Sequence, residues 1–455
     1  MSAAWAMGIG PAGGEPRNGM GVGIGVDVGT SGVRALALDA AGNRLGTATE
    51  PLPPPQHSAA GGVRQAPELW WAALVAVLRR LTRALDLDGR RTALCLDATS
   101  ASVLIADGGG RPLGPALMYN DRSAVQAAAT VAAVAPPDAP ALGAGASLAK
   151  ALHLLGATHT DPSAGQGADG GAVRILHQAD WLLGRLLGRF GDSDWNNALK
   201  LGFDPVAERW PDWLSALLPV GTLPRVHAPG TVLGRIAAAA AAETGLPTDT
   251  RLCAGTTDST AAVLATGADA VGDAVTSLGS TLVLKILAER PVTAPAYGVY
   301  SHRLRDGWLV GGASNSGGAA LRAHFDDAAL ARLSTRIDPG RDSGLDYYPL
   351  PGPGERFPVQ DPHMAPRLTP RPDDDARFLH GLLEGIARIE RDGYRLLTRL
   401  GAPAPRRVLS IGGGAANFVW TAMRRRLLGI EVVTAAEQEA AAGVARLALA
   451  AAAGE

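Results

Sequence analysis

Lysine is almost missing from this chain. Of its 42 basic residues only Lys150, Lys200 and Lys285 are lysines, and none lies in a GxxxxGK[ST] context, which excludes a P-loop nucleotide site. The HRD and DFG elements of protein kinases are absent too. Cysteine is equally scarce. Cys95 and Cys253 each sit in a short apolar run (TALCLD, TRLCAG), so they read as small core residues and leave no disulfide framework. That fits a reducing compartment. The nine histidines show no HExxH spacing. No apolar run approaches the ~18 residues of a membrane span. The N-terminal stretch also lacks the basic segment and apolar core of a secretory signal, so a cytoplasmic location is expected. The formal charge of −1, without a basic stripe or an acidic tail, removes the electrostatic footprint of a nucleic-acid binder.

What remains is a chain of 455 residues, 47% apolar and 19% charged, which is too long for one ordinary domain. Residues 1–21 read as a flexible Gly/Pro extension. An apolar run Val22–Val28 containing Asp27 then leads into the turn Gly29-Thr30-Ser31-Gly32 and two further strands, Val33–Leu38 and Arg44–Thr49. A helix is expected from Pro67, with proline and Glu68 in its first turn. VDVGTSGVRALALDAAGNRLG and LDATSASVLIADGGGRPLG share an order of strand, Asp, Thr-Ser turn, strand and Gly-rich turn. This echo predicts neighbouring strands whose turns face one place. A helix is expected over about Arg174–Leu187 and another over Phe378–Leu400. A hairpin is expected at AVTSLGSTLVLKIL, and a final helix from Ala436. Strands alternate with helices in two stretches, predicting two α/β domains with a break near Asp258–Gly272.

Four segments carry candidate chemistry. In Asp27-Val28-Gly29-Thr30-Ser31 the glycine permits close approach of a ligand, successive amides and hydroxyls can surround a phosphate, and the aspartate offers a hard oxygen to Mg²⁺. An ordinary hairpin turn would use the same residues. Ser277-Leu278-Gly279-Ser280-Thr281 is a second hairpin of that kind, and one in each domain suggests opposed loops clamping a polyphosphate. Gly255-Thr256-Thr257-Asp258 puts an acid after a buried strand, where it can accept a proton from an attacking hydroxyl, or simply begin a helix. Gly412-Gly413-Gly414-Ala415-Ala416-Asn417 follows a strand. Its glycines let a flat ring approach the backbone, with Asn417 and Trp420 beside it, unless Trp420 is core. Weaker candidates are Tyr119 to Arg122 and the group Asp194, Trp195 and Asn197. Histidines 177, 302 and 380 read as structural.

In this order, DVGTS, GTTDS, LGST and GGGAANxxW resemble the FGGY carbohydrate kinases, over about Gly23 to Arg446. DATS, PALMYNDR and HQADWLLGRLLG look most like the short pentulose kinases of cyanobacteria and plants, which resemble xylulokinases and act on D-ribulose. The family's K-x-x-W reads here Lys150-Ala151-Leu152-His153, and the Gln-Met-His of typical xylulokinases is replaced by Ala98-Thr99-Ser100. The resemblance implies two ribonuclease-H-like, actin-like ATPase domains around a cleft. The sugar-binding domain would span 22–264 with the helix 438–455, and the ATP-binding domain 265–437. It further implies Asp258 as general base and a sugar held by Asp27, Ser31, Ser100 and Asp258. ATP would be held by Gly29, Thr30, Ser31, Gly279, Ser280, Thr281, Gly413, Asn417 and Trp420. Mg²⁺ would sit at Asp27 through water. The partners implied are a small-molecule sugar and ATP, for a monomer or homodimer. D-xylulose is the alternative sugar, and an actin-like ATPase without sugar transfer the alternative class.

Overall fold

The computed structural model describes residues 21–59, 61–160, 173–219 and 221–454, so all but the last residue of the expected N-terminal extension lies outside the described residues. The described chain divides into two compact units, one built from Thr266–Gln438 and the other from the described residues up to Ala265 together with the segment from Glu439 onward.

In the second of these, a six-stranded sheet runs in the order Val232–Arg235, Arg251–Thr257, Thr92–Ala98, Val22–Val28, Gly32–Leu38 and Arg44–Pro51. Val22–Val28 pairs antiparallel with its hairpin partner and parallel with Thr92–Ala98, which pairs parallel with Arg251–Thr257. The internal echo has a direct counterpart here, because its two first strands lie side by side with Asp27 opposite Asp97. Both faces of the central strand are covered, which is why it reads as an unbroken apolar run. Ile24, Val26 and Val28 join Trp70, Leu74 and Leu78 of the helix Pro67–Arg83 in one core. On the other face Gly23 and Gly25 lie so close to the helix Ala440–Ala453 that a Cβ on either would collide with its backbone carbonyls. Gly443 gives the same close approach to the helix Asp258–Ala265.

One expectation is corrected. Arg174–His177 is a strand, paired antiparallel with Val103–Ala106, and the helix begins only at Gln178. The boundary is set by a capping box, in which the Asp180 carboxylate accepts from the His177 amide and the two side chains also bond at 2.8 Å.

The Thr266–Gln438 unit holds its own six-stranded sheet, ordered Tyr300–Leu304, Gly307–Ser314, Leu282–Ala288, Asp273–Leu278, Arg407–Ile411 and Glu431–Thr434. The expected hairpin is present, with Asp273–Leu278 also parallel to Arg407–Ile411. Against this sheet packs Asp375–Arg399, capped by the Asp374 carboxylate and burying Phe378, Leu379, Leu382, Leu383 and Ile386. Deeper still, Arg424 donates to Glu390 through Nε at 2.6 Å and Nη2 at 2.7 Å, both residues being fully buried. Glu390 also accepts from the Thr276 hydroxyl at 2.6 Å, and Arg424 donates to the Ser410 hydroxyl at 2.8 Å. This pair ties together the two strands that lead into the Gly279 and Gly413 turns.

Candidate active site

Three adjacent parallel strands end at one edge of the first sheet, and each brings a carboxylic acid there. Asp27 and Asp97 are cross-strand partners, Thr256 faces Asp97 from the third strand, and Asp258 follows two residues later. Ligands of α/β sheets collect at such carboxyl ends. Asp258 is half-buried at the start of its helix, where Oδ1 accepts the Ser259 amide at 2.6 Å. Asp27 is largely buried, with Arg34 at 3.7 Å. Burial pushes the Asp27 carboxyl above the usual carboxylate range, against the pull of a bond to Asp97 and of Arg34.

Asp97 is the residue sequence reasoning passed over. It is 0% exposed, and neither oxygen meets a described donor other than a neighbouring acid. Burial first, then the like charges of Asp27 and Asp258, push its carboxyl well above the normal range. A protonated Asp97 donating to Asp27 resolves both facts, since two carboxylates side by side in a dry site cannot both ionise. The folded state therefore keeps a proton that the unfolded chain has released. Stability falls as pH rises from the unfolded-state value through the raised folded one. Asp97→Asn, with an amide donor and no proton to lose, should raise the melting temperature at pH 8 by roughly 4 °C, a gain that vanishes near pH 4. Equal destabilisation at both pH values would show that Asp97 is ionised.

Beside this edge, Ser100 and the exposed Ser31 occupy the two Thr-Ser turns. The Thr99 hydroxyl donates to Gln178 Oε1 at 2.7 Å and meets Ser102 Oγ at 2.6 Å. Gln178 Nε2 is buried without a partner among the described residues, so the wall behind the Thr99 turn is polar. Asp194 caps Asn196 and Asn197 from full burial, which pushes its carboxyl up to about 7. Asp121, one of the weaker candidates, is buried and accepts from Val63 N and from the amide and hydroxyl of Ser123.

Glycines separate into two kinds. A Cβ on Gly29 would meet only Gly32 O at 3.5 Å, one on Gly279 only Thr281 O at 3.7 Å and Ser277 Oγ at 3.9 Å, and one on Gly413 nothing within 4 Å. At these positions there is open space where a side chain would stand. Gly317, at φ 137°, is different. Its Cβ would press on Thr281 and Leu282, because the amides of Gly318 and Ala319 donate to the carbonyls of Gly279 and Ser280. Arg322, missed from sequence, donates to Ser280 Oγ at 2.9 Å from the exposed face. Asn417 is a helix cap, accepting from Trp420 N and donating to Ser334 Oγ, while Trp420 is 2% exposed with its indole bonded to Leu383 O. The ring backs the turn, since a Cβ on Gly414 would come within 2.6 Å of it.

Among the described residues no group of three or more His, Cys, Asp or Glu is placed to hold a metal by itself. Mg²⁺ is commonly held by one or two carboxylates, with water and phosphate completing its shell. Asp27 fits that part. No helix among the described residues is long and apolar enough to cross a membrane.

The sequence matches the N-terminal domain of the FGGY family of carbohydrate kinases over residues 22–265 and the C-terminal domain over 274–452. A xylulose kinase of Escherichia coli K12 is 27% identical over 93% of this chain and 89% of its own length. A xylulose kinase of Streptomyces coelicolor is 29% identical over 89% and 82%. A solved structure from Brucella ovis, described as a xyloylose kinase, superposes with a TM-score of 0.83 at 24% identity, covering 95% of this chain and 91% of that one. The fold is that of the actin-like, two-domain kinases. With both family domains matched along almost all of its described length, the chain belongs to the FGGY family of carbohydrate kinases and is a sugar kinase.

Proposed function

We propose that this enzyme transfers the γ-phosphoryl group of ATP to the terminal hydroxyl of an open-chain ketopentose, with D-ribulose first. The observation that carries the reading is the gathering of Asp27, Asp97 and Asp258 at the ends of three parallel strands. Asp258 takes the proton from the sugar hydroxyl as its oxygen bonds to phosphorus and ADP departs. Asp27, Ser31 and Ser100 hold the sugar. Asp27 would also hold Mg²⁺, which would supply neutralisation of charge on the phosphate oxygens. Gly29 leaves room for the phosphate while its own amide closes the turn on Gly32 O, and the Thr30 and Ser31 groups, with those of Gly279, Ser280 and Thr281, donate to phosphate oxygens, with the Arg322 charge beside Ser280. Gly413 receives the adenosine, and Asn417 and Trp420 act by fixing the shape of its turn.

Gly279→Val tests the nucleotide half. The side chain has room within the protein, so melting should change little while ATP affinity falls at least ~10-fold by calorimetry. Unchanged affinity would make this hairpin only a turn.

D-ribulose leads because Ala98-Thr99-Ser100 stand where xylulokinases carry Gln-Met-His, leaving small hydroxyls to read the sugar. D-xylulose is the second reading, favoured by relatives named xylulose kinase. A coupled ADP-release assay over D-ribulose, D-xylulose, L-ribulose and glycerol decides between them. The highest kcat/KM should fall on D-ribulose; a lead for D-xylulose would install the second reading. ATP hydrolysis without any sugar stimulation would defeat both.

A further inference from the structure

Lys150 sits in the helix Ser147–Thr160 and is 0% exposed, an unusual fate for the most readily hydrated cation. Among the described residues no carboxylate pairs with it directly. Its ammonium donates to three backbone carbonyls instead: Ala101 at 3.0 Å, Met118 at 2.6 Å and Tyr119 at 3.2 Å. These carbonyls belong to two separate turns. One runs from Thr99 to Ser102, closed by the Ser102 amide on Thr99 O at 3.3 Å, and carries Ser100. The other runs from Met118 to Asp121, closed by the Asp121 amide on Met118 O at 2.9 Å. Ala101 has φ 67°, a left-handed conformation that a residue with a Cβ adopts at a cost. The strained residue is thus the one whose carbonyl the ammonium grips.

We infer that Lys150 is a positioning residue for the sugar. Its ammonium cinches the Ser100 turn against the Met118–Asp121 turn and holds Ala101 in its left-handed conformation, so that Ser100 is presented in one fixed orientation. The inference rests on the proposed role of Ser100 as a sugar contact. A buried charge without a carboxylate partner is a poor device for stability, because an apolar side chain of similar length would avoid its desolvation. Such a residue is better explained by what it orients. Burial also pushes the ammonium down to about 7, with Lys200 and Arg122 acting in the same direction and Asp121 opposing them. Below that value the ammonium has a proton for each of the three carbonyls. Above it the amine has only two, and the grip slackens.

The test uses the full chain and whichever ketose the wild type phosphorylates best. Lys150→Met should raise the sugar KM roughly tenfold, in line with the cost of a small misplacement, while the ATP KM stays within about twofold. Its melting temperature should be no lower than that of the wild type. The wild-type sugar KM should climb as pH goes from 7 to 9, and the variant's should stay flat. Adding Ala101→Gly to the variant should recover part of the sugar KM, because glycine needs no clamp to stay left-handed. A sugar KM unchanged in Lys150→Met would overturn the inference. So would a joint rise of both KM values with a lower melting temperature, or an Ala101→Gly addition that restores nothing. A wild type inactive on every ketose would instead remove the ketopentose reading, and this inference with it.

Discussion

Asp258→Asn should cut sugar phosphorylation by ~10²-fold or more while ATP binding stays near wild type. Asparagine keeps the size and the acceptor that receives the Ser259 amide, so the start of the helix should survive. What it cannot do is take a proton. The parent carboxylate lies at the positive end of its own helix, a place that favours negative charge. If base catalysis is the whole of its role, the loss falls on kcat, and calorimetry with ATP shows nothing. Turnover within a few fold of wild type would remove Asp258 from the proton transfer.

The largest effect on stability should come from Arg424→Met. Methionine fills much of the volume but abandons Glu390, a fully buried carboxylate, to the Thr276 hydroxyl alone. Breaking a buried pair from one side typically costs 3–5 kcal/mol, here roughly 6–20 °C in the melting of this unit. Because Ser410 loses its anchor as well, the glycine turn after it should bind ATP less tightly. The double variant Glu390→Leu with Arg424→Met should regain most of the loss, since the apolar pair leaves no stranded charge. If the single variant melts like the wild type, the pair is not the clamp described here.

The strands ending near Asp27 and Asp258, and both small-residue hairpins, were legible because each is a local pattern: an apolar run, an acid, then turn residues. What escaped was fixed by residues distant in sequence. RILHQADWLLG carries enough apolar residues to pass for one helix, and only pairing with Val103–Ala106 draws its first four residues into a sheet. Asp97 looked like part of a turn until the neighbouring strand set Asp27 against it. Arg322 lies 42 residues from Ser280, and no spacing rule connects them. Trp420 was left open between ligand and core, a choice settled by a carbonyl on another helix.

The helix Ala440–Ala453 closes one face of a sheet whose first strand is Val22–Val28, with the whole Thr266–Gln438 unit lying between them in the chain. On the ribosome, the Gly23–Gly25 surface must therefore wait, uncovered, until residues 440–453 have been made, while the intervening unit can already mature. A nascent chain stalled short of residue 440 would expose a flat strip of small residues bordered by Leu36 and Leu38, the kind of surface that trigger-type chaperones guard.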